Sequence, residues 1–294
     1  PVMTFAAWRR RLRDQRGIAL VAVLWTMTLL ALIAAVFMRE TRTELALVRN
    51  LESQARAEAL AEAGVNRAIL ILLGLDTSVP WRVDGTPIEL ASAEGVVRIV
   101  IQDEGGKIDL NRSASAVLQS LFIAVGAAPE PAHHLADAVV DFRDADDLRQ
   151  LNGAEDGEYA AAGLRHDAKD APFASTEELL QVLGMTPDLF ERVEPLVTVY
   201  SPRRDVNLAT APAAVLSVLP YLTAERVRTI LDQRTADLAG ARRFRVIAVT
   251  VLVEAITADG ARFIREAVLR RSAAGGFDIL KWRRIWPTPA AASG

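Results

Sequence analysis

A stretch of 21 residues from Ile18 to Met38 carries no charged side chain, and it constrains this chain more than any other feature. As an α-helix that rises about 1.5 Å per residue, it would be about 31 Å long, which matches the hydrocarbon core of a bilayer. A secretory signal peptide has a shorter apolar region and ends at a small-residue cleavage site. The stretch therefore predicts a transmembrane helix.

The segment that precedes the span is basic. Five arginines and one aspartate lie between Trp8 and Gly17. Positive charge beside a first span holds that end of the chain in the cytoplasm. The chain is therefore predicted to cross the membrane once, with its N-terminus cytoplasmic and everything after Met38 outside the cytoplasm.

The helical pattern continues beyond the span and becomes amphipathic. No Pro occurs from Val2 to Val79, and the first Gly after Gly17 is Gly64. This predicts one continuous helix of more than fifty residues that ends near Gly74. One stripe of apolar residues at helical spacing is expected to pack on a globular body: Leu45, Val48, Ala55, Ala59, Ala63, Leu70 and Leu73.

Composition excludes several classes of chemistry. The chain has no Cys and only three His, so a disulfide framework, a thiolate nucleophile and a Cys-type zinc site are excluded. It contains no G-x-S-x-G, no H-E-x-x-H and no phosphate-binding glycine loop. A net charge of −3 gives no general attraction to nucleic acid. We therefore expect a protein that is not an enzyme and does not bind nucleic acid.

Two strand-like segments, Val96–Ile101 and Phe244–Val253, are separated by a long helix-rich stretch. This layout predicts an α+β fold with a helical insertion. The apolar, aromatic and basic segment Gly276–Trp286 is predicted to form a last strand, and Pro287–Gly294 a disordered tail.

The helix-rich stretch contains an internal repeat. Residues 108–121 align with 206–219 at an offset of 98, and 139–143 align with 230–234 at an offset of 91. Each copy is predicted to form two helices joined by a short turn, as in helix-hairpin-helix or SAM-like modules. Such modules often bind DNA phosphates through glycine-rich hairpins. The second hairpin, 219–223, contains no Gly, which favours a packing role.

An acidic segment lies inside the first copy of the repeat. Seven carboxylates fall within the eighteen residues from Asp141 to Glu158, broken by Gly and Asn. Oxygen ligands at close, irregular spacing suit Ca²⁺, although the segment lacks the EF-hand order of ligands. On the residues alone, a solvated acidic loop is an equally open interpretation.

The N-terminal pattern resembles the type IV pilins and the pseudopilins of type II secretion, since a basic leader ends at Arg16-Gly17 and the apolar helix begins at Ile18. The resemblance implies that prepilin peptidase cleaves between Gly17 and Ile18 and methylates Ile18. Most members carry a Glu at the fifth mature position, whereas this chain has Ala22. The minor pseudopilin K family is known for lacking that Glu.

The resemblance to pseudopilin K implies a pilin-like fold. A long N-terminal transmembrane helix packs on a small antiparallel sheet, and an all-α, SAM-like domain is inserted into that sheet. The implied segments are a leader (1–17), a transmembrane part (18–38) and an amphipathic part (39–75) of the helix, a first sheet part (76–103), a first SAM-like unit with the acidic loop (104–200), a second unit (201–240), the remaining strands (241–286) and a tail (287–294).

The same resemblance implies a function and a ligand set. Pseudopilin K is a non-catalytic inner-membrane subunit whose periplasmic domain joins minor pseudopilins I and J in the tip complex. That complex caps or initiates the pseudopilus, built from other pseudopilins, and supports export of folded proteins across the outer membrane. The family's calcium-stabilised loop carries D-x-D-D and G-A-E-D signatures, which here match Asp144, Asp146, Asp147, Glu155 and Asp156. The alternative is another single-pass, membrane-anchored periplasmic binding or interaction protein.

Overall fold

A computed structural model describes residues 5–201, 203–236 and 246–286, with side chains from residue 19 onward apart from 40–43 and 45. The chain divides into two compact units, residues 1–56 and 57–294, which are treated separately. Helix α1 (Phe5–Leu72) begins in the first unit and ends in the second. The single long helix predicted from the absence of Pro is therefore confirmed.

The first unit contains the apolar part of α1. From Ala19 to Arg39 this part is long and apolar enough to cross a membrane, and none of it is buried. The hydroxyls of Thr26 and Thr28 donate to carbonyl oxygens one turn earlier, at 2.9 Å to Val23 and 3.0 Å to Leu24. These polar side chains thus find partners within the helix, as a hydrocarbon environment requires.

Helix α1 ends where the sequence predicts. Gly74 adopts a φ of 75°, a conformation that a residue with a Cβ rarely adopts. Its N–H donates to the carbonyl of Ile71 at 3.0 Å, and the N–H of Leu75 donates to that of Leu70 at 2.9 Å. These bonds satisfy carbonyl oxygens left open at the helix end.

Five antiparallel strands form the sheet of the second unit, in the order β1-β2-β5-β6-β7. The strands are β1 (Asp84–Ser92), β2 (Gly95–Asp103), β3 (Ile108–Asp109), β4 (Val197–Thr198), β5 (Ala248–Thr257), β6 (Arg262–Arg271) and β7 (Phe277–Ile285), and β3 pairs with β4 in parallel outside the main sheet.

Strands β2 and β5 are neighbours in the sheet, with Val100 opposite Leu252. The chain leaves the sheet after Asp103 and returns at Ala248, so the predicted helical insertion and α+β fold are confirmed. Residues 244 and 245 of the second predicted strand lie outside the described residues. The predicted last strand corresponds to β7, and the predicted tail, 287–294, also lies outside them.

The last turns of α1 pack on this sheet through a face that was predicted wrongly. Ala59, Ala63 and Leu70 of the predicted stripe are exposed. The buried face consists of Ala57, Ala61, Val65, Ala68, Ile71 and Leu72. At 100° per residue the two stripes lie on nearly opposite sides of the helix.

Close approach decides which face of α1 is buried. A Cβ built on Gly64 would lie 2.6 Å from a methyl carbon of Val253 and 2.9 Å from one of Val97. The lack of a side chain at Gly64 therefore lets α1 lie close to β2 and β5 on this face.

The insertion is helical, as predicted. Its helices are α2 (Ser115–Ala124), α3 (Pro129–Arg143), α4 (Asp156–Ala161), α5 (Pro187–Val193), α6 (Ala213–Val218) and α7 (Ala224–Ala236). One hydrophobic core includes Leu118 and Leu121 of the first repeat and Leu216 and Leu219 of the second. The two copies are thus packed together in a single core.

The repeat extends to individual hydrogen bonds. Arg143 at the end of α3 donates to the carbonyls of Leu110 and of Ser113, the latter at 2.7 Å. Arg234 near the end of α7 donates to the carbonyls of the two aligned residues, Leu208 and Ala211. In each copy the second helix therefore anchors the segment that leads into the first, which confirms the predicted repeat.

Candidate metal centre and membrane anchor

The acidic segment forms a loop between α3 and α4, and carboxylates of α3 accept hydrogen bonds from the loop backbone. Asp141 is completely buried, and its carboxylate accepts the N–H of Gln150 at 3.1 Å. One turn earlier, Asp137 accepts the N–H of Asn152 at 3.2 Å. Asp137 and Asp141 thus both bind loop backbone.

A glycine makes this close packing possible. A Cβ on Gly153 would lie 1.8 Å from Oδ2 of Asp141, well inside van der Waals contact. Any other residue here would push the loop away from α3, and Gly153 therefore keeps the acidic side chains close together.

Three carboxylates in and beside the loop have an oxygen without a partner. Oδ1 of Asp144, Oε1 of Glu155 and Oδ1 of Asp170 are buried and accept no hydrogen bond from the described part of the chain. We call Asp144, Glu155 and Asp170 the acidic cluster. Buried polar atoms are nearly always hydrogen-bonded, so three such oxygens in one region indicate a missing positive partner.

The charges of the acidic cluster oppose one another. Burial, followed by the charges of Asp141 and Asp144, raises the pKa of Glu155 to about 7. Burial is also the main cause that raises the pKa of Asp144 and of Asp170, with neighbouring aspartates adding to it. Within the described residues, Arg143 opposes this rise at Asp144 without reversing it.

The remaining predicted ligands lie near the acidic cluster, but they are exposed or already accept a backbone hydrogen bond. Asp146 is exposed and accepts the N–H of Leu148 at 3.0 Å, while Asp147 is exposed. Asp156 accepts the N–H of Ala168 at 3.2 Å. The carboxylate of Glu158 accepts the N–H of Glu155 at 3.0 Å and so caps the start of α4.

Asp170 was not predicted as a site residue. It lies twelve residues after Glu158, the end of the acidic segment, in 167–170, where Asp167 and Asp170 flank an Ala-Lys pair. Asp170 has a φ of 51°, and no other non-glycine residue in the described part of the chain has a positive φ. Asp tolerates that conformation better than most residues, and a strained position often marks a functional site.

The cluster is not a closed ligand set as it stands. Within residues 5–201, 203–236 and 246–286, no group of three or more His, Asp or Glu side chains has the geometry to hold a metal ion. Nevertheless, the three unpaired oxygens fit a hard divalent cation, which takes oxygen ligands in flexible geometry.

The residues predicted for processing and anchoring lie on α1. Gly17 and Ile18 are within the helix, and Ala22 is exposed on it. From Ala19 to Met38 the span contains no carboxylate. A buried carboxylate in lipid is costly and is retained only where a partner neutralises it.

A single apolar anchor helix, continued onto an antiparallel sheet that carries an all-α insertion, defines a pseudopilin-like class of protein. Residues 96–202 match the family model described as type II secretion system (T2SS), protein K. A type II secretion system protein K from Pectobacterium carotovorum subsp. carotovorum is 28% identical over 253 residues, which cover 75% of each chain.

A solved structure is similar in fold. The chain in the GspK-GspI-GspJ complex from enterotoxigenic Escherichia coli has a TM-score of 0.53 and 19% identity, over 84% of this chain and 99% of that one. In sequence this chain is therefore similar to the type II secretion system protein K family, and in fold it is similar to the solved chain.

Proposed function

We propose that this chain is a minor pseudopilin of a type II secretion system and acts at the tip of the pseudopilus, where it caps or initiates the filament. The observation that carries the proposal is the helical insertion between the adjacent strands β2 and β5. A repeating subunit of a helical filament has neighbours on all sides. A subunit that carries a domain of this size on its sheet is accommodated most easily where one side is free.

Ala22 supports an end position. In this class the Glu at the corresponding position pairs with the N-terminal amine of a neighbouring subunit. The apolar span here offers no such carboxylate between Ala19 and Met38. A subunit with no neighbour above it has no amine to neutralise, so the loss of the carboxylate removes a cost of membrane insertion.

The partners proposed for this chain are minor pseudopilins I and J, because the solved structure with the same fold is a complex of those three proteins. The exposed stripe of α1 that includes Ala59, Ala63 and Leu70 supplies an apolar surface for neighbouring helices. The role is mechanical and non-catalytic, and it supports export of folded proteins across the outer membrane.

Co-expression tests the assembly. The full chain, solubilised in detergent with minor pseudopilins I and J of the same organism, should elute with both in size-exclusion chromatography. As its cellular level rises, surface pseudopili should become shorter. Pseudopili that lengthen with dose, or a chain that elutes without I and J, would contradict the proposed tip position.

We further propose that prepilin peptidase cleaves between Gly17 and Ile18, and that the N-terminus faces the cytoplasm of a chain anchored in the inner membrane. The basic leader and the span of α1 support this orientation. Mass spectrometry of the chain isolated from membranes should show a methylated Ile18 at the N-terminus. An intact leader in cells with active peptidase would oppose the proposal.

Finally, we propose that the acidic cluster holds Ca²⁺, with Asp144, Glu155 and Asp170 as ligands. The charge of Asp147 acts on both Glu155 and Asp170, and the charge of Asp156 acts on Asp170. Asp147 and Asp156, together with Asp146 or water, would complete the coordination shell of the ion. A bound ion would tie the loop after α3 to the segment before Phe173, in a chain that has no Cys to form a disulfide.

A further inference from the structure

A cavity of about 880 Å³ lies between the inserted helices and the sheet, apart from the acidic cluster. Its walls come from the turn before α2, the segment after β4, and the sheet, through the residue before β5, the end of β6 and the middle of β7. The lining combines arginines with apolar side chains. None of the functions proposed above uses it.

Three exposed arginines, one from each wall, line the cavity: Arg112, Arg204 and Arg270. Within the described part of the chain, Arg112 and Arg204 form no ion pair. Arg270 meets Asp278 at 4.0 Å, with both side chains about half exposed. Such a contact contributes little, so all three guanidinium groups remain available to a ligand.

The acidic groups of the cavity do not cancel this charge. Asp109 is buried, and its two oxygens accept the N–H groups of Asn111 at 2.8 Å and Ser201 at 3.0 Å. Asp205 is exposed at the rim. With Arg143, four arginines line the cavity against the two aspartates, so the lining carries a net positive charge and attracts anions.

Size and apolar lining narrow the class of ligand. Val117, Val199, Ile247 and Leu280 lie among the arginines on the cavity wall. The volume falls in the range of about 300–1,000 Å³ that encloses organic ligands, which is more than an inorganic oxyanion needs. An arginine fork matches a carboxylate in a bidentate manner, and apolar walls suit the aliphatic stem that carries it.

We propose that this cavity, which we call the arginine cleft, binds an acidic polypeptide segment, with a Glu or Asp carboxylate among Arg112, Arg204 and Arg270 and its stem against the apolar wall. The segment belongs to another polypeptide, so the arginine cleft is a second interaction surface of the inserted domain. It is separate from the exposed stripe of α1.

Fluorescence anisotropy tests this proposal on the full chain in detergent micelles. The probe is a labelled peptide with two Glu residues between leucines, and its twin carries Gln in their place. The Glu peptide should bind at least about tenfold more tightly, and the R112Q/R204Q variant should lose about tenfold in affinity. The matched control R228Q, an exposed arginine of α7 outside the cleft, should change the affinity less than twofold.

Competition with inorganic phosphate shows whether the arginine cleft prefers a peptide carboxylate or binds any free oxyanion. Competition by millimolar phosphate with the Glu peptide still preferred supports the proposed polypeptide occupant. Phosphate binding with no preference between the Glu and Gln peptides would overturn it in favour of a free oxyanion. Equal binding to wild type and R112Q/R204Q, with unchanged melting temperatures, would overturn the site altogether.

Discussion

The acidic cluster and a network on β7 both gather carboxylates, but only the network is neutralised by the chain's own cations. On β7, Lys281 lies 2.8 Å and Arg283 3.3 Å from Glu177. Arg283 also reaches Glu194 at 2.9 Å and forms an ion pair with Glu266. We call these five residues the β7 clasp. It connects the inserted domain to the sheet.

The acidity of the two regions differs accordingly. Although burial alone would raise it, the hydrogen bond and charge of Lys281 lower the pKa of Glu177 to about 2. In the acidic cluster, burial and the neighbouring charges of Asp141 and Asp144 raise the pKa of Glu155 to about 7. The comparison teaches that the carboxylates of the β7 clasp are paired with Lys281 and Arg283, whereas the acidic cluster has oxygens that no group in the described part of the chain pairs.

Removing calcium should lower the melting temperature more than any substitution considered below, because it should act on the acidic cluster and not on the β7 clasp. For a ligand at a hundred times its Kd, binding stabilises the folded state by about 2.7 kcal/mol. For a folded unit of this size, that corresponds to about 5–10 °C in melting temperature. Differential scanning calorimetry of the full chain in detergent should show this fall on adding EDTA, with recovery in excess Ca²⁺.

The D144N/E155Q/D170N variant is the control for calcium removal. Its melting temperature should be the same in EDTA and in Ca²⁺, whereas a clasp variant should keep the full response. A wild-type chain that melts at one temperature in both solutions would mean that the cluster takes no stabilising ion.

Enlarging Gly153 should have the next largest effect. A methyl group at this position collides with Asp141, so Gly153→Ala should destabilise the fold by about 2 kcal/mol and weaken the calcium response. Gly157→Ala is the matched control, because a Cβ there meets nothing within 4 Å. Urea unfolding measures both, and equal values would show that the loop is not packed on α3 as described.

Breaking the β7 clasp should destabilise the fold by less than enlarging Gly153 does. Glu177→Gln should destabilise by about 1 kcal/mol, because the carboxylate is partly exposed and such pairs contribute modestly. The exposed Glu191→Gln serves as the control.

The contribution of Glu177 should also depend on pH in a defined direction. The folded pKa of about 2 lies below the ordinary value of 4.5, so the stabilisation is fully present above pH 4.5 and is lost as the pH falls toward 2. Urea unfolding at pH 7, 5 and 3 should show the wild type and E177Q converging only at the lowest pH. A difference that is constant across the three would contradict the clasp.

The smallest expected effect is a stabilisation, which a substitution in the acidic cluster should produce when calcium is absent. In EDTA, Glu155→Gln removes a charge that nothing neutralises, so it should stabilise the fold by about 1 kcal/mol or less. With Ca²⁺ present, the same substitution removes a ligand and should destabilise relative to wild type. Calorimetry in both solutions checks this reversal, and loss of stability in EDTA would argue that the chain already neutralises Glu155.

Much of the architecture could be predicted from sequence because long-range order follows simple local patterns. The uncharged run 18–38 and the absence of Pro to Val79 predicted α1, and the two strand segments bounded the insertion. The repeat alignment paired Arg143 with Arg234, which play equivalent roles in the structure. These features depend on periodicity and spacing, which a sequence displays directly.

The buried face of α1 and the full acidic cluster could not be predicted in this way. Ala occupies both faces of the helix, and the close approach of Gly64 to Val97 and Val253 on the covered face is visible only in the structure. Asp170 joins the cluster through the fold of the loop before Phe173. Its signals, a positive φ and a buried unpaired oxygen, exist only in three dimensions.

Counting bound calcium tests the central claim most directly. The full chain in detergent, dialysed against micromolar Ca²⁺ and measured by inductively coupled plasma mass spectrometry, should retain at least one calcium ion per chain. E177Q should retain the same amount, and D144N/E155Q/D170N should retain none. No calcium on the wild-type chain, or an equal amount on the triple variant, would contradict the account of a cluster that a solution cation completes.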